Sequence, residues 1–87
     1  MPKLDLEKAQ IMFKLARKDN WGNCYDRLEH FKRFPNLVRA IKELSKINWI
    51  IVHKKAKFIG ISLETKYKRE IIRFIERKMP YLKGAIR

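Results

Sequence analysis

Cysteine occurs once in these 87 residues, at Cys24, which excludes an intramolecular disulfide and any cysteine-based zinc cluster. Glycine occurs three times, at Gly22, Gly60 and Gly84, too scattered for a loop that cradles phosphate. Long apolar runs are missing as well. The longest, Trp49 to Val52, falls far short of the ~20 residues that span a bilayer. The opening Met-Pro-Lys-Leu-Asp carries no signal-peptide run, so the expected location is the cytoplasm. Neither a repeat nor a Gly/Ser linker interrupts the chain, and its length suits one domain, residues 1–87. Its core must rest on apolar packing, with a partner subunit as the remaining source of support.

Acidic residues are the other shortage. Nine Asp and Glu face 22 Lys and Arg, giving a net charge of +13 and a pI near 10.3. Residues 1–30 hold six basic and five acidic side chains, residues 31–57 eight and one, and residues 58–87 eight and three. The middle third therefore carries +7 of the total. Such a patch favours a polyanion, because each neutralised phosphate releases condensed counterions. Nucleic acid is the leading partner class, ahead of an acidic protein or a membrane surface.

What is present reads as helices first. Leu4, Leu6, Ala9, Met12, Phe13 and Ala16 predict a first helix with Asp5 as its N-cap, stopped by the turn formers of Asp19-Asn20-Trp21-Gly22-Asn23. Asn23 is placed to cap a short second helix, with Cys24, Leu28 and Phe31 on its apolar side and Trp21 as a core plug. Pro35 ends that segment and Asn36 caps a third helix, where Leu37, Ile41 and Leu44 form the buried stripe. Arg39, Lys42, Glu43 and Lys46 point elsewhere.

The period then changes. Trp49 to His53 and Phe58 to Leu63 are β-branched and aromatic, and Lys54-Lys55-Ala56-Lys57 between them is long enough only for a hairpin connection. It lacks the Asn-Gly or Asp-Gly of a tight turn, so a loop longer than two residues is expected. A last helix starts at Glu64 or Thr65, carries Tyr67, Ile71, Ile72, Phe74, Ile75 and Met79, and meets Pro80. His30 and His53 lie in different elements with no cysteine or carboxylate at ligand spacing. No enzyme, metal, cofactor or small-molecule ligand is expected.

Three compact helices and a hairpin, with the stretch NLVRAIKELSKINWIIVHKKAKFIGISL, resemble the winged helix-turn-helix DNA-binding family of small archaeal and bacterial transcriptional regulators. The positions that carry the resemblance are Leu37, Ile41, Leu44, Asn48 and Trp49-Ile50. Asn48 stands where relatives usually have Gly, and Asn is the next residue most tolerant of a left-handed backbone. The resemblance covers roughly residues 6–63. It implies an α+β, mostly helical fold: a three-helix core and two-stranded wing over 4–63, and a C-terminal helix over 64–87. Residues 36–47 would be the recognition helix in the major groove, with Asn36, Val38, Arg39 and Lys42 toward base edges. Val38 could instead cap the core, and Arg39 could instead pair with Glu43. Lys32, Arg33 and Lys46 would touch the backbone.

The hairpin segment 53–58 resembles the wing. Independently of any family, Lys54, Lys55 and Lys57 suit phosphate contact as point charges, although lysines on hairpin edges also serve solubility. The last helix has more apolar surface than one face needs, and Ile72, Ile75, Met79 and Leu82 are expected to support a homodimer. The expected function is sequence-specific binding of double-stranded DNA by a transcriptional regulator. The alternative is an interaction or architectural module that meets RNA, DNA without sequence preference, or an acidic protein.

Overall fold

The computed structural model describes residues 2–85. It is an α+β arrangement of three α-helices and a three-stranded antiparallel sheet. Helix α1 spans Pro2–Arg17, so it begins before Asp5 rather than at it. Proline fits the first helical turn, where an N–H would be unpaired anyway. Asp5 lies inside that turn, where its charge complements the helix dipole, and it pairs with Lys8 (3.7 Å) and Lys78 (3.8 Å). Ala9, Ile11, Met12 and Leu15 are fully buried, which makes α1 the central element against which α2, α3 and the sheet pack.

Asp19 ends the helix in the left-handed region (φ 54°). The Asp19 N–H donates to Ala16 O and the Asn20 N–H to Leu15 O, which satisfies two carbonyls that the helix leaves open. The next residues tie back to the sheet: Gly22 N–H donates to Leu63 O, and Leu63 N–H to Asn20 O, both at 2.8 Å. Trp21 is half-buried against the core beside Leu63.

The expected second α-helix does not form. In its place are a two-residue strand β1 (Asp26–Arg27) and a single 3-10 turn, Leu28–Phe31. Strand pairing wins here: Asp26 and Arg27 lie opposite Ile61 and Gly60 of the last strand, and that ladder needs extended backbone. Phe31 still reaches the core from the 3-10 turn, but Cys24 is exposed rather than a core residue.

Helix α2 spans Leu37–Lys46 and buries Ala40, Ile41 and Leu44. It ends as the sequence implies. Asn48 adopts φ 65°, with Trp49 N–H donating to Leu44 O and Asn48 N–H to Ser45 O. Strand β2 (Ile50–Lys54) pairs antiparallel with β3 (Ile59–Leu63), and the four residues between them are closed by a Lys55 N–H to Phe58 O bond of 2.9 Å. The sheet order is β1-β3-β2. Ile50, Ile61 and Leu63 face the helices, and each such buried aliphatic contributes about 1.5–3 kcal/mol.

A 3-10 turn, Thr65–Tyr67, leads into α3 (Lys68–Lys78), with the Glu64 carboxylate accepting from Lys66 N–H. Pro80 opens a further 3-10 turn, Pro80–Leu82. Ile71, Ile75 and Met79 form one buried stripe against α1, and Phe74 meets Trp49 edge-on at 5.7 Å. The apolar surface left outside the protomer is therefore narrower than expected. Ile75 and Met79, expected at a dimer contact, are inside the protomer (0% and 3% exposed), because the helical period from Ile71 turns them inward. Leu82 packs on the same core, and Ile72 is half-buried.

Candidate nucleic-acid interface

Helix α2 is positioned by its buried face. With Ala40, Ile41 and Leu44 fixed on the core, the 3.6-residue period turns Val38, Arg39, Lys42 and Lys46 to solvent. Val38 is 76% exposed, which rules out a role as a cap on the core. Lys32, Val38, Arg39 and Lys42 share one shallow concavity of about 650 Å³, with Phe34 and Pro35 also in its lining. Arg33 is exposed at the same turn, and its guanidinium lies 5.1 Å from the Phe34 ring centre. Among the described residues, no carboxylate pairs with Lys32, Arg33, Lys42 or Lys46. Of the concavity's cations, Lys32 and Lys42 are thus without a carboxylate partner among the described residues.

Two of the expected base-contacting residues are differently placed. Asn36 does not cap α2 with its side chain. Its backbone N–H and its Nδ2 each donate to the Glu7 carboxylate at 2.9 Å. Both oxygens of this buried acid are thereby satisfied, and one amide hydrogen of the Asn36 side chain is engaged. Asn36 thus clamps α1 to the start of α2, while the exposed residue also lines the concavity. Arg39 makes the i,i+4 contact with Glu43 through Nε (3.3 Å) while its side chain stays 66% exposed. Lys8 binds Glu43 more closely, at 2.6 Å. The Lys8 hydrogen bond, opposed by burial and seconded by Arg39, holds the Glu43 carboxyl below its ordinary value. Only one edge of the Arg39 guanidinium is engaged.

Lys54, Lys55 and Lys57 are exposed at the hairpin end and do not line the concavity. Lys55 leans over the Tyr25 ring at 5.2 Å, toward the outer face of the sheet. That face carries an assembly with no counterpart in the sequence reading. Tyr25 stacks near His53 (4.8 Å) and Phe58 (5.9 Å), and Arg27 sits 4.5 Å from the Phe58 ring centre. His53 Nε2 lies 2.9 Å from the buried Ser62 hydroxyl, which donates to Gly22 O at 2.6 Å. The signal that was available for Glu7 is a charged residue on the apolar stripe of α1. Tyr25 and Arg27 gave none, because their places depend on β1.

Near the 3-10 turn, Asp26 accepts from His30 Nδ1 (2.6 Å), Lys18 Nζ (3.2 Å) and Arg27 N–H (2.9 Å). Burial pushes the Asp26 carboxyl up, but the three hydrogen bonds outweigh it and the net shift is downward. Among the described residues, no three His, Cys, Asp or Glu side chains gather as a metal-binding group. No described helix is long and apolar enough to cross a membrane. No family model matches the chain, and neither does any curated protein or solved structure.

Proposed function

We propose that this chain binds double-stranded DNA with sequence preference, as a small winged-helix transcriptional regulator. The observation that carries the reading is α2: a short helix fixed by Ala40, Ile41 and Leu44 that turns Val38, Arg39, Lys42 and Lys46 outward beside Lys32 and Arg33. The order of elements supports it. Helix α1, the basic helix α2 and then a hairpin follow the order the resemblance implies, with β1 and a 3-10 turn standing where it implies a second helix. In this reading α2 enters the major groove, Arg39 uses its free edge on guanine, and Val38 meets a thymine methyl. Lys32, Arg33 and Lys46 hold phosphates beside it, and Lys54, Lys55 and Lys57 do so from the wing. Asn36 reaches adenine or a phosphate with the part of its side-chain amide that Glu7 leaves open.

Selection of bound duplexes from a random pool tests the proposal. Enrichment of a common motif is expected. A pool that stays random after repeated rounds, or structured RNA that outcompetes it, favours the alternative of a basic module without sequence preference.

A further inference from the structure

A groove of about 910 Å³ runs along α1, walled by the Arg33-Phe34-Pro35 turn and by the C-terminal 3-10 turn. Its size is that of a small-molecule site, ~300–1,000 Å³. The apolar lining includes the buried Phe34 and Met79 and the half-buried Phe13 and Leu82. Tyr81 stands at its wall 80% exposed, the most exposed of the large apolar side chains among the described residues. Around this floor are four cations, Lys14, Arg17, Lys18 and Arg33, and one carboxylate, Glu7, whose oxygens are taken by Asn36.

The cations are not equivalent. Lys14 donates to His30 O (2.6 Å) and Lys18 pairs with Asp26. Arg17 and Arg33 have no carboxylate partner among the described residues. Each lies over an aromatic ring, Arg17 5.8 Å from Phe13 and Arg33 5.1 Å from Phe34, which orients a planar fork of donors beside an apolar surface. The charges also press on one another: burial first, then Lys18 and Arg33, lower the pKa of the Lys14 ammonium. An anion placed here would relieve that repulsion.

We infer that this groove binds a small phosphorylated aromatic compound, its ring between Tyr81 and the Phe34 floor and its phosphate on Arg17 and Arg33. The guanidinium forks match phosphate oxygens, and the apolar floor rejects a bare, fully hydrated anion. The inference shares Arg33 with the DNA reading but none of Val38, Arg39 or Lys42, which do not line the groove.

The test is a titration of the 15N-labelled full chain with 1-naphthyl phosphate, followed at the Tyr81 amide and the Nε–H groups of Arg17 and Arg33. Saturable shifts are expected there, with inorganic phosphate and 1-naphthol each weaker by roughly tenfold or more. The double variant Arg17→Gln, Arg33→Gln should lose at least tenfold in affinity, while Arg17→Lys, Arg33→Lys keeps the charge and loses less. Both arginines are exposed, and the remaining amide spectrum reports that the fold is kept. An Arg69→Gln, Arg73→Gln variant, which removes two exposed arginines outside the groove, should bind as the parent does. Shifts that never saturate, equal binding of inorganic phosphate, or an equal loss in this control variant would each overturn the inference.

Discussion

Asp19 and Asn48 both adopt a left-handed backbone, and each ends a helix by donating its N–H to a carbonyl of the last turn. At Asn48 the geometry is one that glycine adopts without strain, so Asn48→Gly should be neutral or stabilising by up to ~1 kcal/mol. Asn48→Val should cost about 1–2 kcal/mol, as a branched side chain meets the preceding carbonyl. Chemical denaturation of the three proteins checks both. Asp26 offers a second residue-scale expectation. Its folded pKa lies below the unfolded one, so its stabilisation is full above the unfolded value and is lost as pH falls through the folded value. The stability gap between parent and Asp26→Asn should therefore be largest near neutrality and close as pH drops below the ordinary carboxylate range of ~4. A gap that is constant with pH would mean the three donors do not favour the ionised form.

At the scale of elements, the hairpin is defined by what it meets. A Cβ on Gly60 would lie 2.5 Å from Tyr25 Cδ1 and 3.0 Å from Cγ, near the base of the ring where little rotation is available. Gly60→Ala should cost about 1–3 kcal/mol and should couple to Tyr25→Ala, the double variant losing less than the sum. Additive losses in thermal or denaturant unfolding would show that the ring moves aside freely. The same hairpin supplies the proposed phosphate contacts. Replacing Lys54, Lys55 and Lys57 together by Ala should flatten the slope of log affinity against log salt by roughly 2.7. An unchanged slope in a folded variant takes the hairpin off the DNA. Helix α2, the hairpin and the last helix were legible in the sequence because each repeats its own period, and Asn48 because few residues suit a helix end of that kind. Strand β1 was not legible. Two residues carry no period, and what holds Asp26 and Arg27 extended is β3, far along the chain. The site divides the same way: exposure of Val38, Arg39 and Lys42 follows from the helical period, whereas the fate of Asn36 depends on Glu7 in another helix.

Taken whole, the molecule is organised around α1, which the other two helices and the sheet cover. That arrangement explains why the last helix has so much apolar surface. Ile71, Ile75 and Met79 complete the protomer's own core. A charge at Met79 should accordingly unfold the chain rather than divide a dimer, which circular dichroism and sedimentation together distinguish. The central claim is that the exposed face of α2 reads sequence. Arg39 is its sharpest point, since a bidentate arginine–guanine contact contributes ~1–3 kcal/mol of discrimination. The most direct measurement is the affinity ratio between a selected duplex and a scrambled one, at fixed salt, for the parent and for Arg39→Ala. Loss of the exposed side chain should change stability by no more than ~0.5 kcal/mol. The account predicts that the ratio falls, with preference relaxed at one base pair. Affinities for both duplexes that drop by the same factor, leaving the ratio unchanged, would contradict it.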